Sequence, residues 1–560
     1  MPQTEDLAGR VPADLAEKFR AEGWWRRDAT LLDDVRRHAL AHPQRKAIVC
    51  RHTDGRPTES LTYAQLVAAV ERLAAGLAGL GVRHGDVVTL QLPNSWQLMA
   101  LSLACARIGA VAGPVLPIMR RREVGFILEL TESPVYIAPA THRGFSFAEM
   151  SGDLAERTPT LRHRVLLGAA DLDPDGPGLR GALDFDDTLL GATGPGAAGD
   201  VPMREAGPDD IAYIMFTSGT TGEPKGVVHS HNTLYATNRT QAEALGVTGE
   251  DVTAMGSPTT HNAGYTWNFV MPLLHGATCV HIDHWDPAVM LRALEEEQVT
   301  FFMGAPPFIV DLVAQQRADR RDLSRLRTFA TGSAPIPPVL VEQAHDVLGC
   351  RLYALWGMTE NGCVTVTRPT DPLMRAAESD GTVLTGMEIR VVDAPNGSPV
   401  VPGATGRLQV RGAHQCLGYY RRPDTYRESL SDDGWFDTGD LARDDGHGGI
   451  RIVGRDKDLI SRGGEKIPVV EVEAALLRHP EVKDVAVVGY PDDRLGERAC
   501  AVIVPEDGEP PALAALQEHL RVLGMAKQYW PERVERSAAL PKTPTGKVQK
   551  FKLRAQLAHS

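Results

Sequence analysis

Residues 216–226 read FTSGTTGEPKG, which is the composition of a loop that folds around phosphate groups. Its glycines let backbone N–H groups approach an anion, and Lys225 adds a positive charge. Four hydroxyl groups can donate to phosphate oxygens, those of Thr217, Ser218, Thr220 and Thr221. The apolar run 211–215 predicts a buried strand directly before the loop, so an anchored anion site is favoured over a mobile Ser/Thr/Gly linker.

The loop does not match the two common nucleotide motifs. A Walker loop requires Ser or Thr after its lysine, whereas Lys225 is followed by Gly226. No GxGxxG sequence opens a predicted helix, which argues against a dinucleotide fold of the Rossmann type. The chemistry indicated is therefore phosphate binding by a different kind of loop.

Four further segments carry charged residues in recognisable order. Glu360 ends the segment LWGMTE just after the predicted strand 351–355, at the edge where doubly wound sheets bind ligands. Asp440 lies in WFDTGDL, and Arg455 follows in GRDK. Lys547 follows a glycine in LPKTPTGKV. Each residue alone is ordinary on a protein surface, and only their order along the chain makes them candidates for a site.

The composition is that of a globular protein with at least two domains, since 560 residues exceed what one core supports. A net charge of −13 argues against a nucleic-acid partner, whose phosphates require an excess of Lys and Arg. The seven cysteines are scattered without the spacing of a zinc site, which predicts reduced thiols and a cytoplasmic location. Residues 1–36 lack the apolar core of a signal peptide, and Pro93 and Arg107 interrupt the apolar stretch 87–119, so no membrane span is expected.

The predicted elements alternate between strand and helix, which indicates a parallel sheet covered by helices. The pattern is clear at 87–116 and again at 278–355, so a doubly wound α/β fold is expected. Short alternating strands at 384–410 predict a small antiparallel β region that closes the large domain. Residues 171–200, rich in Gly, Ala, Asp and Pro, predict a long surface loop.

A second domain is predicted after the GRDK segment. The chain restarts there with a helix at 470–479, two strands and a helix at 513–523. About a hundred residues with their own alternation make a small α+β unit. We therefore divide the chain into a large domain at 1–456 and a small C-terminal domain at 457–560.

In this order the motifs resemble those of the adenylate-forming superfamily, which includes acyl-CoA synthetases, aryl-acid ligases, luciferases and peptide-synthetase adenylation domains. The resemblance covers most of the chain and points to the acyl-CoA synthetase branch, with similarity to aryl-acid AMP ligases. It implies a ligase that converts a carboxylic acid and ATP-Mg²⁺ to an acyl-adenylate plus pyrophosphate, and then passes the acyl group to coenzyme A. Such chemistry brings two anions together, which requires a metal ion and cationic side chains.

The resemblance also implies roles for individual residues. Lys547 is the implied catalytic lysine, in preference to Lys542 and Lys550, which do not follow a glycine. Thr359 would contact the α-phosphate and Glu360 would hold Mg²⁺. The nucleotide and coenzyme A would contact Thr217, Ser218, Gly219, Thr220, Thr221, Lys225, Gly332, Ser333, Ala334, Pro335, Trp356, Gly357, Met358, Asp440, Arg455, Gly463 and Gly464.

Domain alternation is implied by a hinge at Lys457, about which the small domain would rotate between the two half-reactions. Paired Gly463 and Gly464 would let a backbone strand lie against the pantetheine arm, with a simple β-turn as the alternative. Two positions depart from the family pattern. Arg407 stands where the family usually shows glutamate, and Ala354 where many members have Asn or Gln near adenine.

The acid pocket is expected at the carboxyl ends of the strands, around His261, Asn262, Ala263, Gly264, Tyr265, Trp267, Gly304, Ala305 and Thr331. His261 matches the family's gate position, although a histidine that merely packs is the alternative. Asn262 stands where amino-acid-activating relatives have Asp, so an amino acid is not the expected substrate. Small residues such as Ala263 and Ala305 leave room for a bulky apolar, cyclic or aryl acid.

Two other functions stay open at this stage. The acyl group could pass to the phosphopantetheine of an acyl carrier protein in place of coenzyme A. A catalytically silent nucleotide-binding regulator is the second alternative, which the retained Lys225, Glu360, Asp440, Arg455 and Lys547 disfavour. A homodimer is expected on base rates alone.

Overall fold

The structure is a computed structural model that describes residues 7–170, 173, 175–191, 203–217, 224–334, 336–393, 397–455, 458–462, 465–492, 494–543 and 548–557. Its helices are α1 (Ala13–Ala21), α2 (Leu31–Ala41), α3 (Tyr63–Gly79), α4 (Trp96–Ile108), α5 (Arg121–Thr131), α6 (Phe147–Arg157), α7 (His231–Leu245), α8 (Asn262–Tyr265), α9 (Met271–His275), α10 (Pro287–Glu296), α11 (Pro306–Ala318), α12 (Pro338–Asp346), α13 (Arg375–Glu378), α14 (Pro423–Arg427), α15 (Val469–Leu476), α16 (Leu513–Val522) and α17 (Lys550–Leu557).

The strands are β1 (Lys46–Arg51), β2 (Glu59–Thr62), β3 (Val87–Leu90), β4 (Val111–Pro114), β5 (Val135–Pro139), β6 (Thr141–His142), β7 (Phe145–Ser146), β8 (His163–Leu167), β9 (Leu183–Asp184), β10 (Ile211–Thr217), β11 (Lys225–Ser230), β12 (Val252–Met255), β13 (Thr278–Ile282), β14 (Phe301–Met303), β15 (Thr328–Thr331), β16 (Arg351–Met358), β17 (Gly362–Val366), β18 (Thr382–Val383), β19 (Met387–Val392), β20 (Gly406–Gly412), β21 (Gly418–Tyr419), β22 (Phe436–Asp444), β23 (Ile450–Arg455), β24 (Ile460–Arg462), β25 (Glu465–Ile467), β26 (Val482–Asp492), β27 (Gly496–Pro505) and β28 (Arg533–Arg536).

Two large sheets carry most of these strands. The first sheet has the order β18-β17-β16-β15-β14-β12-β13-β1-β2, and the strands from β16 to β1 run parallel. The second has the order β21-β11-β10-β4-β3-β5-β8-β9, with β11 and β21 antiparallel to their neighbours. Parallel pairing places the carboxyl ends of neighbouring strands on one edge, where loops can assemble a site.

Helices α3 and α4 lie between the two sheets. Their buried residues Leu66 and Leu101 belong to one core cluster with Ile48 of β1 and Val88 of β3, which are strands of different sheets. Helix α4 buries ten of its 13 residues because both of its sides are covered. This explains why the stretch 87–119 is so apolar. No helix in the described ranges is both long and apolar enough to cross a bilayer.

Two smaller sheets follow. β19-β20-β22-β23 form a four-stranded antiparallel sheet, and β25-β24-β27-β26 form another sheet with β28 added to β27. The predicted fold class, doubly wound α/β with an antiparallel region and a smaller α+β unit, is confirmed. The division between 456 and 457 falls on residues outside the described ranges and stays a prediction.

The prediction of a surface loop at 171–200 is wrong for residues 183–190. β9 extends the second sheet by pairing with β8, and a π-helical turn follows at Asp186–Leu190. Leu189 of this turn is buried against α3, where Gly76 provides the space. Leu183 and Leu189, two of the five leucines of the segment, were the signal that the Gly- and Asp-rich composition obscured.

Gly109 ends α4 in a left-handed conformation with φ at 69°, and an added Cβ would lie 2.2 Å from His84 Cδ2 and 2.7 Å from the Arg204 carbonyl oxygen. Gly144 has φ at 73° but nothing within 4 Å of such a Cβ. We expect Gly144→Ala to lose about 1 kcal/mol of stability from φ alone. Gly109→Ala should lose ~1–3 kcal/mol more through overpacking. Thermal unfolding of both variants checks this, and equal shifts would contradict it.

Candidate active site

The phosphate-loop motif and the Glu360 motif meet where the two large sheets approach each other. β16 runs beyond its predicted end to Met358, and Thr359 and Glu360 then form the turn into β17. The described ends of the 216–226 segment belong to β10 and β11, where Phe216 pairs with Gly226 and Thr217 pairs with Lys225. β11 also pairs with β21, which brings a third segment to the same place.

Glu360 is a buried carboxylate held by this third segment. The Tyr419 hydroxyl of β21 donates to Glu360 Oε1 at 2.8 Å, and Lys225 Nζ lies 4.6 Å from the centre of the Tyr419 ring. Burial raises the pKa of Glu360, while the Tyr419 hydrogen bond and the charges of Lys225 and Arg455 lower it. A carboxylate in such surroundings gains from a cation, because burial penalises its charge.

Asp440 has both carboxylate oxygens occupied by side chains of other motifs. Trp356 Nε1 donates to Oδ2 at 2.9 Å, and Arg455 Nε lies 3.0 Å from Oδ1. Asp440 and Arg455 face each other across β22 and β23. The three motif residues therefore form one connected group, in which Asp440 is buried and Arg455 remains 43% exposed.

Most of the Trp356 ring is already covered by protein. The residue is 8% exposed and packs in a core cluster with Val364 and Tyr419. Only a small part of its surface is left for stacking on a ligand, and its indole N–H serves Asp440. The neighbouring Gly357 and Met358 are exposed and half-buried, respectively.

The His229 side chain holds the Thr359 backbone through a hydrogen bond. Its Nε2 lies 2.7 Å from the Thr359 carbonyl oxygen, which can only accept, so Nε2 carries the hydrogen. Nδ1 then accepts from Thr233 Oγ1 at 2.9 Å. Burial lowers the His229 pKa to about 4, so the ring is neutral near pH 7 and positions Thr359 without adding charge.

The expected acid pocket begins at the N-terminus of α8. Asn262 Oδ1 accepts the Tyr213 hydroxyl at 2.6 Å, so the group that Asn262 can offer to a bound acid is its Nδ2 donor. His261 is half-buried, and its Nδ1 accepts the Ala263 N–H at 3.2 Å.

Asn94, in the loop after β3, ties this segment to the first sheet. Its Nδ2 donates to the Ile282 carbonyl at 3.0 Å, and its Oδ1 accepts the Thr259 N–H at 2.6 Å.

Some expected pocket residues serve packing in the structure. An added Cβ on Gly264 would lie 2.1 Å from the Pro258 carbonyl oxygen, so this glycine allows a close backbone approach and opens no room for an acid. Tyr265 is buried in the core between the sheets, in edge contact with Tyr213 and Phe269. Trp267 stacks on Phe301, and Ala263 packs at the border of that cluster.

The remaining candidates lie at the ends of β14 and β15. Ala305 and Thr331 are buried, and the Thr331 hydroxyl has no hydrogen-bond partner among the described residues. Gly332 packs against Leu355, where a Cβ would lie 2.7 Å from the carbonyl oxygen. Ser333 and Ala334 are exposed, and Ser333 has φ at 72°. Positive φ is uncommon for serine and gathers at functional loops.

Nine candidate residues lie outside the described residues: Ser218, Gly219, Thr220, Thr221, Pro335, Lys457, Gly463, Gly464 and Lys547. Both lysines that competed with Lys547 are engaged in ion pairs. Lys542 pairs with Asp484, and Lys550 Nζ lies 2.7 Å from Glu473 Oε1.

The two departures from the family pattern lie apart from these contacts. Ala354 is fully buried on β16, where its N–H bonds Thr367 Oγ1 at 3.0 Å. Arg407 pairs with Asp437 at 2.9 Å.

Sequence patterns missed Tyr419, His229 and Tyr213, which hold the motif residues in place. Each lies on a strand of the second sheet and reaches a residue that is distant in sequence. A single Tyr or His in a strand is typical of an ordinary core, so no local signal distinguished them.

Comparison with known proteins identifies two family matches. Residues 35–420 match the AMP-binding enzyme family, and residues 471–547 match the AMP-binding enzyme C-terminal domain. The chain is 34% identical over 542 residues to the medium-chain fatty-acid–CoA ligase of Escherichia coli K12, covering 96% of this chain and 92% of that protein. It is 32% identical to the 2,3-dihydroxybenzoate-AMP ligase of Bacillus subtilis 168, covering 98% and 97%.

A solved structure agrees with these matches. The crystal structure of the anthranilate CoA ligase AuaEII in complex with anthranoyl-AMP superposes with a TM-score of 0.84 at 26% identity. The match covers 95% of this chain and 98% of that one. The resemblance inferred from the motifs is thereby confirmed.

The neutral His229 should make stability fall in acid. Its folded pKa of about 4 lies below the ordinary histidine value, so the unfolded chain binds a proton between about pH 6.5 and 4 that the native state refuses. Between pH 7 and pH 5 the free energy of unfolding should therefore fall by about 2 kcal/mol because of His229. In His229→Gln this part of the decrease should be absent. Urea unfolding at both pH values measures it. The control is His345→Gln, at an exposed histidine. The same change in unfolding free energy between the two pH values in both variants would contradict the assignment.

Proposed function

Because the chain belongs to the AMP-binding enzyme family, we propose that it is an acyl-CoA synthetase, which joins a carboxylic acid to coenzyme A using ATP. The observation that carries the proposal is that residues of four motif segments meet in two groups of contacts. Lys225 and Glu360 both contact Tyr419, and Trp356 and Arg455 both contact the Asp440 carboxylate. Tyr419 and Trp356 in turn pack in the same core cluster.

The proposed first step is formation of an acyl-adenylate. A carboxylate oxygen of the acid attacks the α-phosphorus of ATP, and the bond to the pyrophosphate leaving group breaks. Two anions approach each other in this step, so cationic side chains lower its barrier. Lys225 at the loop and Arg455 at the ribose side supply positive charge, and the Thr359 backbone is held in register by His229.

Mg²⁺ fits this group of residues through Glu360. The carboxylate is buried, its pKa is raised by that burial, and one oxygen accepts a hydrogen bond from Tyr419. A hard oxygen donor with an unfavourably buried charge suits a divalent ion that also contacts phosphates. When bound, Mg²⁺ would neutralise charge on the phosphate chain.

Lys547 is the residue proposed to bridge the acid and the α-phosphate. Support comes from its position after the glycine of LPKTPTGKV and from its competitors, since Lys542 and Lys550 are committed to Asp484 and Glu473. Lys542 and Val548, on either side of Lys547 in the sequence, form an isolated antiparallel bridge.

The second step transfers the acyl group to a thiol, and AMP leaves. We propose that Lys457 is the hinge and that Gly463 and Gly464 line the path of the pantetheine arm. The thiolate sulfur attacks the acyl carbon, a thioester bond forms, and the acyl–phosphate bond breaks. Coenzyme A is the proposed acceptor because the Escherichia coli relative and the superposed structure are both named as CoA ligases.

A carrier-protein phosphopantetheine is the second candidate acceptor. The 2,3-dihydroxybenzoate-AMP ligase of Bacillus subtilis covers nearly all of this chain at similar identity, which favours keeping this alternative. Both acceptors present the same pantetheine thiol. They differ in the 3′-phosphate nucleotide, which only coenzyme A carries.

The proposed acid is apolar, cyclic or aryl. Asn262 offers a neutral amide donor, and no carboxylate at that position balances an ammonium group. The cluster beside Ala263 is apolar and includes Met303 and Leu355. An ATP- and Mg²⁺-dependent AMP-release assay with aryl, cycloaliphatic, medium-chain and polycyclic acids, with and without coenzyme A, tests the function. No turnover with any acid would reject it, and adenylate without thioester would favour a carrier protein.

Lys547→Ala should separate the two half-reactions. We expect the variant to lose at least ~100-fold in ATP–pyrophosphate exchange, because a preorganised charge on the transition state is removed. It should still convert a chemically prepared acyl-AMP to the thioester. Lys542→Ala is the matched control and should retain exchange. An unchanged exchange rate in Lys547→Ala would rule out the assigned role.

Trp356→Phe should weaken the use of ATP while keeping an aromatic ring. Removing the indole N–H leaves Asp440 one hydrogen bond short, and a bond to a charged group is worth about 1.5 kcal/mol. The KM for ATP should therefore rise about tenfold. Trp435→Phe is the control, since Trp435 is also buried but packs under Arg390 and Arg411. Equal effects in both variants would contradict a specific role for Trp356.

A further inference from the structure

A second cluster of titratable side chains lies far along the first sheet from Glu360. It stands at the carboxyl ends of β1 and β13, which are parallel neighbours near the opposite end of the strand order. One donor atom each from His52, Asp54 and Asp283 lies within 4.8 Å of the others. The proposed ligase reaction uses none of these residues.

His52 is oriented as metal-binding histidines usually are. Its Nε2 lies 3.0 Å from Glu59 Oε2, and a carboxylate oxygen only accepts, so Nε2 carries the hydrogen. Nδ1 has no hydrogen-bond partner among the described residues, and it faces Asp283 Oδ2 at 3.7 Å. The side chain is only 5% exposed. A ring backed by a carboxylate with its other nitrogen directed at an anionic oxygen is the arrangement that a cation completes.

Asp283 is fixed with one oxygen turned toward this nitrogen. Its Oδ1 accepts from the Thr53 N–H at 3.1 Å, the Thr53 hydroxyl at 2.8 Å and the His284 N–H at 2.9 Å. Oδ2 is the atom that faces His52. Because the side chain is 7% exposed, the carboxylate cannot turn away to water without breaking these three bonds.

Arg56 is the positively charged side chain that contacts the two aspartates of this cluster. Its Nε lies 2.8 Å from Asp54 Oδ2, and its guanidinium reaches within 3.8 Å of Asp283 Oδ2. Both Arg56 and Asp54 are more than half exposed, so this pair can open into solvent. A metal ion would therefore compete with the guanidinium for the same carboxylates.

We propose that His52 Nδ1, Asp54 and Asp283 Oδ2 form a Zn²⁺ site, with water as the fourth ligand. The 3.7 Å between Nδ1 and Oδ2 is close to the ~3.3–3.4 Å expected between two ligands of a tetrahedral zinc ion. An imidazole donor selects zinc and its first-row neighbours over Mg²⁺ and Ca²⁺, which prefer oxygen ligands. The site goes beyond the proposed ligase function and does not depend on it.

The test is a Zn²⁺ titration of the full chain after chelator treatment and dialysis, followed by calorimetry and by competition with a fluorescent zinc chelator. Wild type should bind one ion per chain at this site. His52→Gln and Asp54→Asn should each weaken binding at least tenfold, and Asp54 is exposed enough that folding is not at risk. The exposed His447→Gln is the matched control and should bind as wild type does.

Arg56→Gln gives a test of opposite sign. Removing the competing guanidinium should tighten Zn²⁺ binding several-fold, whereas a purely structural ion-pair cluster predicts no gain. The proposal is overturned if wild type binds no stoichiometric Zn²⁺, or if His52→Gln and Asp54→Asn bind as tightly as wild type. The titration contains no ATP, acid or coenzyme A, so its outcome is separate from that of the ligase assay.

Discussion

The burial of the Glu360 carboxylate is the constraint around which the candidate site is organised. A carboxylate at 8% exposure is unstable as an anion unless donors and cations surround it. The first sheet supplies β16, which leads into the turn that carries Glu360, and the second sheet supplies Tyr419 and Lys225. The Glu360 carboxylate is therefore stabilised only if the two sheets keep the same relative position. Helices α3 and α4, which pack between the sheets, maintain that position.

The same constraint explains which parts of the fold and of the site could be predicted from the sequence. Strand–helix alternation predicted the doubly wound sheets, because each βαβ unit is a local pattern. Glu360, Asp440 and Arg455 were accessible because they lie in segments with a characteristic order. Tyr419 and His229 were not, since their importance arises only when β11 and β21 pair and bring them under Thr359 and Glu360.

Small residues in the expected acid pocket show a further limit of sequence patterns. Ala263 and Gly264 are adjacent and both small, yet the first borders an apolar cluster and the second accommodates the Pro258 carbonyl. Which side of a short helix faces a ligand is decided by packing several elements away. The prediction of a loop at 171–200 failed for a related reason, because Leu189 packs against Gly76 of α3 despite the loop-like composition around it.

The Asn94 side chain connects the two large sheets close to the expected acid pocket. One amide on the second sheet's β3 loop joins Ile282, at the end of β13, to Thr259, two residues before His261. The Asn94 side chain thus holds the segment that we propose as part of the acid pocket against the first sheet, and a change in the backbone of that segment would strain these two hydrogen bonds. Directed evolution toward larger acids would therefore find that changes at 259–264 are epistatic with position 94, because contacting residues do not contribute additively.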